Sequence, residues 1–213
     1  MRKVIIILIL LLVGTYLTCT KQKQVFRSEP KIEYYPLRVG NYWEYGDNSN
    51  MYEYHLRKEI VEFCLLQEGL GVYKARYLSS HSYSKDTVEH KEEWFSYQAL
   101  IGNEIREFSD LSDLGQYEIL LRFPLQVGSS WKEPSKQMDS VWIFSIFIDS
   151  VVAVENVITP AGEFDDCFKI SSGMGGFDFM QSEKWFKPQV GFVKFTNGLG
   201  PLEYSLVDYK IMK

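Results

Sequence analysis

The sequence predicts a mainly β fold: an antiparallel barrel, open half-barrel or sandwich, built from two related halves and preceded by a cleaved N-terminal signal segment. Three observations predict it. Tyr, Phe and Trp supply 15% of the residues and fall in short runs that alternate with period two. Turn-forming clusters recur between those runs. No long stretch repeats with helical period, and the best helical candidate is the short segment Asp110–Gly115.

The leader comes first. Met1, Arg2 and Lys3 give a short positive start, Val4–Val13 is an unbroken apolar run, and Gly14–Thr18 lead to Cys19. A basic start, a short apolar run and a more polar exit form the pattern of a secretory signal, here residues 1–18. The run falls short of the about 20 apolar residues that a membrane-crossing helix needs. Ordinary signal peptidase cuts after small residues in an A-x-A-like arrangement, and no alanine occurs before Ala75. A cysteine directly after the apolar run resembles the lipobox of bacterial lipoproteins, although Tyr16 and Thr18 stand where that family prefers Leu and Gly, Ala or Ser. The resemblance implies that Cys19 is lipidated, with acyl chains such as palmitate, and becomes the first residue of the mature chain. Plain cleavage and a retained anchor are the alternatives. Residues 19–32, polar and poor in apolar side chains, read as a flexible tether from that lipid. Thr20 is not the Asp that commonly retains lipoproteins at the inner membrane, which favours the periplasmic face of the outer membrane, or the cell surface.

Residues 33–213 form the β-rich domain. Removing Arg2 and Lys3 with the leader takes the formal charge from −5 to −7. An acidic chain lacks the basic face that releases counterions from phosphates, so nucleic acid is excluded as a partner. A domain of this size folds without disulfides. Cys64 and Cys167 are either a long-range pair or two buried small hydrophobes.

Along the domain, Met51–Leu56, Val72–Leu78, Glu93–Tyr97, Gln116–Phe123 and Gly191–Phe195 alternate as half-buried strands do. Val141–Val154 is the longest apolar stretch, β-branched and aromatic, and reads as a long strand or a bent pair buried on both faces. Turns are expected at Gly46-Asp47-Asn48, Glu68-Gly69, Pro160-Ala161-Gly162, Gly173-Met174-Gly175-Gly176, and from Asn197-Gly198 to Gly200-Pro201.

Self-similarity organises these elements. Residues 35–43 and 123–131 both read aromatic-Pro-Leu-x-Val-Gly-x-x-Trp, at an offset of 88. Val61-Glu62 with Gly69 matches Val154-Glu155 with Gly162 at 93, and Glu92–Phe95 with Gln98 matches Glu183–Phe186 with Gln189 at 91. Two halves are inferred, about 35–122 and 123–211. In the motif, Pro fixes φ, Gly permits a tight turn, and Trp buries a large area at the strand start. The functional reading of the motif has Trp43 and Trp131 stacking on a ligand.

The segments YYPLRVGNYWEY (34–45), ITPAGEFDDCFKI (158–170) and EKWFKPQVGFVKF (183–195) are similar to motifs shared by uncharacterised bacterial envelope lipoproteins. The resemblance implies export and a lipid anchor, and it implies no activity. A looser, fold-level similarity is to lipoprotein-sorting carriers and receptors, in which a curved antiparallel sheet holds acyl chains.

The residues offer no recognised catalytic or metal motif. His55, His81 and His90 form no HxxxH or HExxH pattern. Glu163, Asp165 and Asp166 after Gly162 read as a solvated turn, because a calcium loop needs more alternating acids and a bidentate Glu. Glu89, Glu92 and Glu93 read as a solvent face. Gly173–Gly176 opens no helix and reads as a hairpin rather than a phosphate cradle. No cofactor is expected. The leading expectation is a non-enzymatic envelope protein that binds an apolar small molecule or a partner protein. The alternatives are a structural or assembly role without ligand, and a hydrolase using a carboxylate pair whose spacing sequence does not reveal.

Overall fold

The computed structural model describes residues 34–47, 53–66, 69–82, 90–132, 147–174, 177–196 and 203–212. The expected leader, Cys19 and the tether lie outside them, as do the turns at Asn48 and at 197–201 and the first part of the long apolar stretch. Twelve strands follow one another: β1 (Tyr42–Asp47), β2 (Glu53–Leu65), β3 (Gly71–Ser82), β4 (His90–Ile101), β5 (Glu104–Phe108), β6 (Glu118–Arg122), β7 (Ser130–Lys132), β8 (Phe147–Thr159), β9 (Gly162–Met174), β10 (Phe177–Lys187), β11 (Gly191–Thr196) and β12 (Glu203–Lys210).

They make one antiparallel sheet in the order β6-β5-β4-β3-β2-β1-β12-β11-β10-β9-β8-β7. Each strand pairs with its sequence neighbour, except that β1 pairs with β12 and β6 and β7 are the two ends. The sheet curls into a nearly closed barrel. Its two end strands meet where the buried indole N–H of Trp131, on β7, donates to the carbonyl of Ile119 on β6 at 3.3 Å. Curling shields edge backbone that would otherwise template pairing with another chain. On β5, Glu104 binds Arg106 at 2.8 Å and Arg122 of β6 at 2.6 Å, fastening the short final strand.

Alternation explains the burial. On β1, Trp43 and Tyr45 point into the core between half-buried neighbours. The main cluster joins them to Leu37, Ile60, Ile105, Leu121, Ile170, Phe186, Val193 and Leu206, all 2% exposed or less. Each such aliphatic side chain contributes about 1.5–3 kcal/mol by leaving water. A second cluster, Val72, Ala99 and Phe108, packs under Leu111 and Tyr117 of the β5–β6 connection.

Both copies of the Pro-Leu-x-Val-Gly motif enter a strand in the same way. Gly40 has φ +91° and Gly128 has φ +95°, a region costly for side chains with a Cβ. The Gly40 amide donates to Ile60 and the Gly128 amide to Val151, each at 2.8 Å. Ile60 and Val151 donate back to Asn41 and Ser129, each at 2.9 Å.

The fold departs from the sequence expectations at four places. Segment 110–115 is not a helix but two consecutive Asx-type turns. Asp110 accepts from the Ser112 amide and Asp113 from the Gly115 amide, both at 2.9 Å, and such local bonds compete with a helical turn. The described part of the apolar stretch is not buried on both faces: on β8, Asp149 and Val151 are buried while Val152 and Val154 are exposed. A curled antiparallel sheet wets its outer face, unlike the doubly covered parallel sheet that such a run imitates. Gly46 and Asp47 belong to β1 rather than to a turn. Glu163, Asp165 and Asp166 belong to β9, where Asp166 takes φ +52° at an irregularity. That extra residue lets Phe164 and Cys167 both face the core while the two acids between them face water.

Candidate functional site

On β2 the period-two face runs Leu56, Lys58, Ile60, which places an ammonium group among apolar neighbours. Lys58 is 8% exposed. A buried charge requires partners, and they come from β4, across the intervening β3, and from the turn before β1. Lys58 Nζ donates to Gln98 Oε1 of β4 at 2.9 Å and to the Tyr35 hydroxyl at 3.1 Å. It also lies 5.5, 5.3 and 5.8 Å from the ring centres of Tyr35, Trp43 and Tyr77, within the range of cation–π attraction.

Gln98 passes the polarity to β5. Its amide Nε2 donates to Glu107 Oε1 at 2.8 Å, and the same oxygen accepts from the Tyr77 hydroxyl at 2.7 Å and from Ser96 Oγ at 2.6 Å. Burial by itself pushes the Glu107 carboxyl up, but the Lys58 charge and these three donors outweigh it and hold the group below the ordinary glutamate value. Burial lowers Lys58 to about 8, against the opposing pull of Glu107. Burial, then the Glu107 charge, raises the Tyr35 and Tyr77 phenols well above 10.

This network faces a cavity of about 200 Å³. Tyr35, Trp43, Tyr45 and Tyr77 line it from the first half of the chain; Phe192 and Phe195 of β11 and Lys184 of β10 close it from the second. Leu56, Lys184, Phe195 and Thr196 are among the half-buried lining residues, and the cavity is open to solvent.

The shifts predict a pH profile. Lys58 binds its proton more weakly folded than unfolded, so the unfolded chain holds more protons between about pH 8 and 10 and stability rises across that window. Above pH 10 the unfolded tyrosines ionise while Tyr35 and Tyr77 stay protonated, so stability falls. Glu107 acts at the other end: its contribution is present above about pH 4.5 and is lost on acidification. The buried Cys167 thiol, raised to about 11, works against Lys58 from about pH 9, where the unfolded thiol ionises first. Urea midpoints measured from pH 4 to 11 should therefore rise from pH 8, turn over near pH 9 and fall by pH 11, and Lys58→Met should remove the rise.

The two tryptophans expected to stack on a ligand are placed differently. Trp43 lines the cavity, its indole N–H donating to the Val190 carbonyl, whereas Trp131 sits in the β6–β7 seam away from it. Cys64 and Cys167 are free thiols in separate clusters, and burial pushes the Cys167 thiol up to about 11. His81 and His90 face each other across β3 and β4 with ring centres 5.2 Å apart. Among the described residues, no three His, Cys, Asp or Glu side chains gather to hold a metal ion. Sequence reasoning missed Lys58, Gln98, Glu107 and Lys184. The one available signal was a lysine flanked at period two by Leu56 and Ile60.

No family model matches the chain, and no curated protein matches it. Two solved structures are similar to it. One is a protein from Bacteroides fragilis described as exported and as having a YmcC-like fold, at 13% identity and a TM-score of 0.49, covering 82% of this chain and 97% of that one. The other is a protein from Parabacteroides distasonis described as a lipoprotein, at 14% identity and a TM-score of 0.46, with the same coverage. Neither likeness assigns a function to this chain.

Proposed function

We propose that the chain is an exported cell-envelope protein, lipid-anchored through Cys19 at the periplasmic face of the outer membrane, that binds a small apolar ligand without transforming it. The cavity carries the reading. It is concave and largely aromatic, with a few convergent polar groups, which is the usual form of a ligand site. A hydrolase of the paired-carboxylate kind would need two facing acids. Among the described residues the cavity presents one, Glu107, and its Oε1 is already occupied by three donors.

The same reading takes β1–β6 and β7–β12 as two related halves. The matched glycine geometry at Gly40 and Gly128 supports it, as does the equal number of strands. The cavity then lies between the halves, and only one copy of the motif tryptophan reaches it.

Two measurements test the proposal. Cells fed labelled palmitate should label the wild-type chain and not Cys19→Ser; equal labelling of both would remove the anchor. Native mass spectrometry after gentle extraction should show a bound small molecule that Leu56→Trp, which adds bulk to the cavity lining, excludes. A wild-type protein with no added mass, and no melting shift across a panel of small aromatic and aliphatic compounds, would remove the ligand.

A further inference from the structure

Resting on the ligand-binding reading, we propose that the ligand of this cavity is a small amphiphile, one ring or a short chain in size, whose single carboxylate-type anionic head lies between Lys58 and Lys184.

Size sets the first limit. An apolar cavity of about 150 Å³ holds a benzene molecule, and drug-sized ligands occupy about 300–1,000 Å³. At about 200 Å³ the space admits one ring with a small substituent, or a chain of similar bulk. It is too small for a diacyl lipid. The walls agree, because the rings of Tyr45, Phe192 and Phe195 offer faces and edges against which an apolar body packs.

Charge sets the second limit. The chain is acidic overall, at −5, yet the cavity lining carries two lysines and one glutamate. Lys58 spends two of its three protons on Tyr35 and Gln98, leaving one. Lys184 stands apart from its neighbours in the same part of the sheet. Lys169 pairs with Glu183 and Lys194 with Glu203, each at 2.8 Å, while no described carboxylate pairs with Lys184. Glu107 is tied to its three donors, which leaves one cationic charge in excess. An anionic head neutralises that excess and accepts from both ammonium groups, and charge-assisted bonds of this kind are the stronger class.

The probes are pairs matched in shape: benzoate with benzyl alcohol, and hexanoate with hexanol, titrated by ligand-observed NMR and calorimetry at pH 7. In at least one pair the acid is expected to bind about tenfold or more tighter than the alcohol, as one hydrogen bond to a charged group implies. Lys184→Met should lower that acid-over-alcohol ratio about tenfold, and Lys184→Glu should invert it, with far-UV circular dichroism showing that each variant retains its sheet. Equal binding of acid and alcohol, or an unchanged ratio in Lys184→Met, would overturn the anionic head while leaving a ligand cavity. Failure of all four probes at millimolar concentration would overturn the assigned size and head together. The ligand-binding reading itself would fall only if native mass spectrometry also found no bound molecule.

Discussion

Glu107→Leu is expected to destabilise the protein by about 3–5 kcal/mol, the range for removing one partner from a buried charge network. The carboxylate is the only described acid facing Lys58 in the cavity. Without it the ammonium has no opposite charge, and Tyr77, Ser96 and Gln98 lose the oxygen to which all three donate. Each stranded donor adds a desolvation cost. Lys58→Met, Glu107→Leu together should lose less than the single change, because no uncompensated ammonium remains, while the cost of the three stranded donors stays. Urea unfolding followed by tryptophan fluorescence reads both. If the double variant lost as much as the single, the network would be a set of independent hydrogen bonds, and the electrostatic account of the Lys58 and Glu107 shifts would fail.

That network also marks where the sequence stopped being legible. The fold class was readable because many strands carry their own alternation: Trp43 and Tyr45 on β1, or Ile119 and Leu121 on β6, announce a buried face locally. The barrel was one of three readings, because closure depends on how far the sheet curls and on one long-range bond from Trp131 to Ile119. The site was not readable. Lys58, Gln98 and Glu107 lie on β2, β4 and β5, which the curl of the sheet brings together across the intervening β3, and each alone looks like a surface residue of a strand. Lys58 becomes informative only once Leu56 and Ile60 are known to face inward. The one helical candidate, near 110–115, failed for a local reason, the Asp110 and Asp113 side chains accepting from the backbone amides two residues on. The double burial expected of the strand or bent pair over 141–154 failed, in its described part, for a global one, because composition resembling a central parallel strand recurs on a curled sheet whose convex side meets water.

The repeated tryptophans show how one motif can serve two ends. Both indoles are 2% exposed, and both donate to a distant backbone carbonyl, yet Trp131 holds the seam and Trp43 holds the wall of the cavity. Trp43→Ala is expected to cost about 3–5 kcal/mol, the range for removing a large buried aromatic. Its ring packs against Gly191, where an added Cβ would lie 3.0 Å from the indole nitrogen and φ is already +109°. The chain at the start of β11 is therefore shaped around that side chain. Trp43→Phe should keep most of the ring contact, lose the bond to Val190, and cost about 1 kcal/mol. Denaturant midpoints of the two variants separate the roles. If Trp43→Ala stayed within about 1 kcal/mol of the wild type and only ligand binding were lost, Trp43 would be a free stacking platform. If stability and binding fall together, the wall of the cavity and the core of the fold are the same side chain, and no variant there can enlarge the cavity without weakening the sheet.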